Sequence, residues 1–348
     1  MFNEIYEPLS HILNKKRDTV LAIIGIIIGL FSGLPKYVAI LFIIIIIVLL
    51  WQLIKESIFI RKIFREKQIP LMVIIGRNDD EYAAMVSDVI LSMKEYGFEK
   101  QSFEDDFNID QDNYVMRKEN NLTEDSHEWE KQVHIFENKL IKLSAKLKGR
   151  KIFHLFLNSP AALVIGMGAV LGTKYEVVLH HHQLGMGENP YHPVIDFHSM
   201  EDNKEGIHLL KSRITSPNQF IEIEEPEILS SSIMVSLYLA GHDPKGDVEK
   251  IATKRNIYVI HLRNKTEGTL PLDADWLRVV REVATYLLNL SAKNRIETIE
   301  LYMSTPIVIA FAIGMALGTQ SPIRVYQWFS KDKMYYPVLD LNKLRQVR

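Results

Sequence analysis

Residues 158–173 read NSPAALVIGMGAVLGT, and 146 positions later residues 304–319 read STPIVIAFAIGMALGT. Each is a small polar pair, a proline, an unbroken apolar run and Gly-Thr. Five of the fourteen positions from Pro160 to Thr173 are identical to their counterparts in Pro306 to Thr319, and nearly all the rest exchange one apolar residue for another. The flanks repeat as well. Trp129 opens a segment with Val133, Phe136, Leu140, Leu143 and Leu147 at helical spacing, and Trp276 opens its counterpart with Leu277, Val280, Val283, Leu287 and Leu290. LMVIIG (71–76) is echoed by IMVSLYLAG (233–241), and VVLHHHQ with YHPVIDF (191–197) by RVYQWF with YYPVLDL (335–341). Such a unit is longer than the roughly 20–50 residues of a solenoid repeat. The chain therefore holds a duplicated domain, with halves near 70–200 and 232–345.

Within each half, short apolar runs ending in turn residues alternate with segments of helical periodicity. That pattern predicts βα units on a largely parallel sheet, an α/β fold. The acid-rich stretch from Glu104 to Glu128 has no counterpart of similar length in the second half. Ser159 and Thr305 are expected as helix N-caps, with the following proline at the first helical position. Because Ala161–Leu171 and Ile307–Leu317 are almost wholly apolar, both helices must be buried. Gly168, Gly172, Gly314 and Gly318 would let them pack closely.

Ahead of the duplication lies a different kind of sequence. Thr19–Leu34 and Tyr37–Trp51 are apolar, separated by a break at SGLPK. A spanning helix needs about 20 residues, range roughly 17–25; the second segment, continued through Gln52 to Ile54, reaches that range with 18 residues, and the first, with 16, is marginally short. A secretory signal peptide is the competing reading, but no A-x-A-like site precedes Pro35 and a second apolar segment follows at once. We therefore expect a cytoplasmic tail over 1–18, a two-helix transmembrane hairpin over 19–60, and a ligand-binding domain over 68–348. Lys15, Lys16 and Arg17 precede the hairpin, Lys55, Arg61, Lys62, Arg65 and Lys67 follow it, and Lys36 alone marks its tip. Both termini should then face the cytoplasm. Gly25, Gly29 and Gly33 fall on one face of the first helix, suited to close packing within the hairpin or between chains.

The remaining composition excludes more than it assigns. The net charge is −2, with 24% charged residues, so nothing suggests a protein that coats a polyanion, and the lack of cysteine removes disulfides and zinc–thiolate sites. HHH at 180–182 invites a metal reading in which His180, His182 and His192 share a site, but the second half has Tyr326, Gln327 and Trp328 there and no carboxylate pair completes a hydrolytic centre. GxSxG, HExxH and P-loop signatures are absent from the sequence, which argues against an enzyme. The strand-to-helix turns are the better candidates. Ligands of open α/β sheets bind beyond the carboxyl ends of the strands, where a helix N-terminus offers backbone N–H groups to an anion. Two such turns suit a ligand with repeated phosphates, although capped turns of this kind also occur without any ligand.

The duplicated strand, [ST]-P, apolar helix and GT block, followed by a strand and Y(H)PV(I/L)D, resembles the SAVED domain, a fusion of two Rossmann-like (CARF-like) halves. With the apolar hairpin, the chain is similar to the transmembrane-SAVED effectors of bacterial CBASS anti-phage systems. The resemblance implies a non-enzymatic receptor in the inner membrane that needs no cofactor. Its ligand would be a cyclic di- or trinucleotide made by a partner nucleotidyltransferase of the CD-NTase type. Binding would drive head-to-tail oligomers that cluster the hairpins and disrupt the lipid bilayer. Carried over by element, the pocket would draw on Gly76, Arg77, Asn78, Asn158, Ser159, Gly241, His242, Arg263, Ser304 and Thr305. In chemical terms Arg77 and Arg263 can hold phosphate bidentately, and Asn78 or Asn158 can read a base edge. Tyr326 and Trp328 can stack on a base, or simply pack in their strand. Asp105, Asp106, Asp110 and Asp112 would meet a basic face such as Lys293 and Arg295 on a neighbouring copy, or else form a solvated loop. A ligand-independent membrane scaffold or regulatory subunit, and a membrane-anchored ring nuclease, are the alternatives.

Overall fold

The computed structural model describes residues 66–183, 189–197, 209–210, 212–226, 231–266, 270–292 and 296–345, with Val48 and Trp51. The chain divides into two units, Met1–Phe64 and Arg65–Arg348. Among the described residues no helix is long and apolar enough to cross a membrane. Apart from Val48 and Trp51, the expected hairpin, with Gly25, Gly29 and Gly33, lies outside the described residues, as do Lys293 and Arg295.

Nine-residue strand β1 (Lys67–Ile75) leads into α1 (Asp79–Met93), two short helices α2 (Lys100–Phe107) and α3 (Gln111–Tyr114), and β2 (Val115–Lys118). Then come α4 (Ser126–Lys146), β3 (Lys151–Asn158), α5 (Ala161–Leu171), β4 (Glu176–His182) and β5 (Tyr191–Asp196). The strands form one sheet in the order β2-β1-β3-β4-β5, parallel except for β5. After β6 (Ile221–Glu224) the plan recurs as β7 (Ser232–Tyr238), α6 (Lys245–Arg255), β8 (Val259–Asn264), α7 (Trp276–Ser291), β9 (Thr298–Ser304), α8 (Ile307–Leu317), β10 (Ile323–Phe329) and β11 (Met334–Asp340). The second sheet runs β11-β10-β9-β7-β8-β6, with β11 and β6 antiparallel to their neighbours. Even the bulge is copied, between Leu179 and His180 and again between Val325 and Tyr326.

The acid-rich stretch does have a partial counterpart. Helices α2 and α3 are additions of the first half, but β2 corresponds to β8: Arg117 lies opposite Ile74 as Arg263 lies opposite Tyr238. VMRK is too short to betray a strand by periodicity, and pairing with β1 makes it one. Within the stretch Asp105 accepts a hydrogen bond from Gln101, Asp110 stands at the N-cap position of α3 with its side chain accepting from the Asn113 amide rather than from the helix backbone, and Asp112 is exposed.

The halves meet through the two repeated helices, of whose eleven residues each all but the first are buried. A methyl group on Gly168 would sit 2.0 Å from the Phe311 carbonyl oxygen, and one on Gly314 would sit 2.1 Å from that of Ile165. These contacts are images of each other, so a pseudo-twofold axis passes between α5 and α8 at a backbone-to-backbone crossing. Gly172 and Gly318 act otherwise: each ends its helix with a left-handed φ, +57° and +64°, and nothing lies near the position of its missing Cβ.

The capping expectation is also corrected. Pro160 and Pro306 themselves are the N-caps, with φ/ψ of −57°/140° and −53°/137°, and neither Ser159 nor Thr305 bonds the helix. Proline's fixed φ suits this extended entry, and the carbonyl of Pro160 accepts from Leu163 and Val164 while that of Pro306 accepts from Ala310.

Candidate functional site

The carboxyl ends of both sheets lie on one side of the domain. Trp129, at the start of α4, packs against Phe329 at the end of β10 (6.4 Å between centroids), and Trp276, at the start of α7, packs against His181 near the end of β4 (5.0 Å). Each contact thus joins a helix N-terminus of one half to a strand C-terminus of the other.

On this side the first half joins its two turns with a cation. Gly76 takes φ +70°, and a side chain there would collide with Asn121 Oδ1, at 1.9 Å from its Cβ. The turn delivers Arg77, whose Nε donates to Asn158 Oδ1 (3.2 Å) and whose Nη1 reaches Glu81 (3.5 Å). The amide nitrogen of Asn158 contacts Met85 Sδ (3.0 Å). Asn78 is occupied differently from the sequence expectation: its carbonyl oxygen caps α1 by accepting from Glu81 N (2.9 Å), and Glu81 answers from the Asn78 N–H, closing a capping box.

The second half joins the same turns without a guanidinium. Gly241 has φ +78° and leaves only 3.1 Å between a would-be Cβ and Ser304 Oγ. Ser304 donates to the Ala240 carbonyl (2.5 Å). His242 is exposed and 3.6 Å from Asp247. Arg263 stands apart, at the sheet margin, held by Glu222 (2.9 Å) and Glu224 (3.4 Å) of β6. Two carboxylates pair with it, and among the described residues no hydrogen bond ties it to the turns, as the sequence had suggested.

Between each pair of turns lies an unanswered hydroxyl. Ser159 Oγ and Thr305 Oγ1 are shielded from solvent and have no hydrogen-bond partner among the described residues, Ser159 being 7% exposed. A buried polar group left this way costs about 1–3 kcal/mol, and here the cost is incurred twice at symmetric positions. Each hydroxyl precedes the N-terminus of a buried helix, where unpaired N–H groups and the helix dipole favour an anion. The opposite ends of the same helices border a cavity of about 310 Å³ lined by Gly172, Thr173, Gly318 and Thr319. Helix C-termini present carbonyl oxygens, which makes that cavity the wrong end for a phosphate.

Two aromatic quartets back the turns. Phe156 stacks on His180 (4.3 Å, 20°) as Tyr302 stacks on Tyr326 (4.4 Å, 22°). Tyr191 and Tyr335 meet those stacks edge-on at 5.1 Å, and His182 and Trp328 lean on the two tyrosines at 4.9 and 5.0 Å. Burial, with Asp247 and Asp243 nearby, pushes the Tyr335 hydroxyl up to about 12. Tyr326 is therefore a packing residue. Trp328 is only half-buried, with His242 at 6.5 Å.

The histidines belong to packing too, and no metal-holding cluster occurs among the described residues. Gln68 donates its amide to Glu66, so its oxygen faces His154 Nε2 (2.6 Å). His154 must then accept at Nδ1 from His180 Nε2 (2.9 Å), which leaves His180 Nδ1 buried without a partner. Burial, then the charges of His154 and His192, hold the His180 imidazole well below its usual range. The same place in the second half holds Glu300, gripped by both Arg255 nitrogens at 2.7 Å and by Tyr302. Sequence reading missed both polar cores, since their members are unlike between halves.

Residues 198–341 match the SAVED family. Its description is the SMODS-associated and fused to various effectors sensor domain, and the matched span contains all of the second sheet. Solved structures of SAVED/CARF-domain receptors are among those similar to the chain. The Acinetobacter baumannii Cap4 SAVED/CARF-domain receptor with the cyclic trinucleotide 3'3'3'-cAAA is 14% identical, with a TM-score of 0.46 over 62% of this chain and 44% of that one. The same receptor with 2'3'3'-cAAA gives 12%, 0.45, 78% and 50%, and the Moraxella osloensis Cap4 receptor 14%, 0.41, 63% and 43%. The chain spans about half the length of these SAVED receptors. No curated protein matches it.

Proposed function

We propose that this chain is a sensor of anti-phage defence whose duplicated domain binds a cyclic di- or trinucleotide on the side where the strands of both halves end. The observation that carries this reading is the match of residues 198–341 to a sensor-domain family. The geometry agrees with it. Two helix N-termini, the partnerless Ser159 and Thr305 hydroxyls and the Arg77–Asn158 pair supply donors for the phosphates of a cyclic ligand. Trp328 offers a half-exposed ring to a base.

In this reading the apolar segments at 19–60 anchor the chain in the bacterial inner membrane, with both termini cytoplasmic. A nucleotidyltransferase supplies the ligand. Occupancy then favours head-to-tail assembly, and the clustered hairpins breach the bilayer. A ligand shifts assembly only by its differential affinity for the assembled form, so binding and growth in mass must be coupled. The test is calorimetric titration of the full chain in lipid nanodiscs with a panel headed by 3'3'3'-cAAA and 2'3'3'-cAAA, followed by dye release from vesicles carrying the chain. One tight ligand that also triggers release is the expected result. Silence across the panel would sink the receptor reading and favour a ligand-independent scaffold.

A further inference from the structure

The two halves differ most at one groove. In the second half α7 and β8 wall a groove that the connecting segment 212–224 fills. Buried Glu282 accepts the backbone N–H groups of Gln219 (2.7 Å), Phe220 (3.0 Å) and Ile221 (3.0 Å). Arg278 donates to Ser216 Oγ (2.7 Å), and Thr285 accepts from Ile214 N (3.1 Å). The segment then runs as β6 along β8, with Glu222 opposite and bonded to Arg263.

In the first half no segment covers the matching walls among the described residues. Strand β2, the equivalent of β8, ends its sheet, with no strand beyond it among the described residues. Helix α4, the equivalent of α7, carries Lys131, Ile135 and Lys139 where α7 has Arg278, Glu282 and Tyr286. A cavity of about 450 Å³ lies between β2 and these residues. The Lys118 carbonyl accepts from Gly76 N, so Lys118 faces β1. Residues of a parallel ladder alternate, which turns the N–H and C=O of Arg117 toward the groove. An unpaired edge of this kind is a template for another strand.

The chemistry of the open groove selects its occupant. Ile135 replaces the carboxylate that gathers amides in the filled groove, and Arg117, Lys118, Lys131 and Lys139 line it against Asp112. Arg117 also reaches Asp79 (2.5 Å) and Lys118 reaches Glu128 (2.9 Å), while Lys131 is exposed. We infer that this groove docks an extended acidic segment of a partner protein, added as a strand beside β2. Its carboxylates lie over Arg117 and the lysines as Glu222 and Glu224 lie over Arg263. Strand addition of this type takes affinity from the main chain and specificity from alternate side chains.

A fluorescent peptide with the sequence of residues 219–226, QFIEIEEP, is a suitable probe, since it is acidic and fills the twin groove. Titrated into the full chain, it should bind saturably and protect the Arg117 amide from exchange. Affinity should fall about tenfold with Lys131→Glu, and again on raising salt, because the contacts are exposed charges. Lys131 is at the surface, so the substitution leaves the fold intact, and Lys343→Glu in the second half should leave binding unchanged. No binding up to millimolar peptide, or equal binding by the Lys131→Glu chain, would overturn the inference. So would self-association that Lys131→Glu abolishes while the peptide does nothing, since the groove would then belong to a second copy. None of these readings depends on a cyclic nucleotide.

Discussion

Replacing Gly168 by alanine tests the pseudo-twofold crossing directly. The new methyl would lie 2.0 Å from the Phe311 carbonyl oxygen and 3.0 Å from Met315 N. Carbon–oxygen contacts relax near 3.3–3.6 Å, so that contact must lengthen by about 1.3–1.6 Å. A gap of about 1 Å already forfeits up to half of each dispersion contact it opens. Overpacking costs about 1–3 kcal/mol where side chains can move aside. Here the obstacle is backbone, so the upper end applies, about 3 kcal/mol. Alanine returns about 1 kcal/mol in helix propensity. The net expectation is a loss of about 2 kcal/mol, or roughly 4–8 °C in Tm. Urea unfolding of the full chain, followed by the fluorescence of buried Trp129 and Trp276, reads this out.

Symmetry sharpens the test. Gly314→Ala meets the Ile165 carbonyl at 2.1 Å and should cost the same, and the double variant should cost less than the sum, because one separation of the helices relieves both clashes. Gly166→Ala is the control: its Cβ meets the side-chain ends Leu339 Cδ1 (2.8 Å) and Val133 Cγ2 (3.1 Å), which can yield. If Gly168→Ala is neutral or stabilising, the backbones do not touch there and the crossing as described is refuted.

Three further outcomes follow from the polar cores. Arg255→Met leaves the Glu300 carboxylate, 3% exposed, without its ion-pair partner; breaking such a pair costs about 3–5 kcal/mol, toward the low end because Arg255 is 40% exposed, and urea midpoints measure it. Burial raises the Glu300 pKa, but Arg255, Tyr302 and Tyr326 outweigh it and hold it low. Its contribution is therefore complete above the ordinary carboxylate range and lost as pH falls through the depressed value. Between about pH 7 and pH 3 wild type should lose more stability than Glu300→Gln, in which Glu282 and Asp340, also held low, still account for some loss. His180 is depressed as well, so the unfolded chain binds more protons and stability should decline below about pH 6.5; His180→Tyr, which imports the residue of the second half, should flatten that slope.

The large elements were legible because their signals are periodic. An apolar helix with glycines spaced to meet its twin, or LMVIIG ending in a left-handed glycine, states its burial in its composition. Strands β2 and β6 were not, since VMRK and IEIE are four residues each and become strands only through their neighbours. The caps were misread for a local reason: Ser-Pro satisfies the N-cap rule on paper, but proline's own φ starts the helix one residue later and strands the hydroxyl. Long-range polar partners such as Arg255 with Glu300, or Gln68 with His154, leave no mark in a single sequence. Aligning the halves hides them further, since His154 and Glu300 occupy one position.

That divergence bears on how a ligand would be held. Packing across the axis constrains both halves alike, so the apolar frame and its glycines stay matched, while the turns are free to differ. Arg77 bonded to Asn158 on one side is answered on the other by Ser304 bonded to the Ala240 carbonyl, with His242 exposed beside Asp247. A cyclic polyanion lying across the axis would find a permanent guanidinium in one half-site and an exposed imidazole, 74% accessible and beside Asp247, in the other. Charge-assisted hydrogen bonds are worth about 1.5–3 kcal/mol, and exposed ion pairs about 0–1 kcal/mol. Arg77→Ala should thus weaken the ligand found in the nucleotide panel by about 10–100-fold, and His242→Ala by no more than about fivefold. Equal losses at the two positions would mean that the halves contribute alike, and that the asymmetry of their turns has no part in recognition.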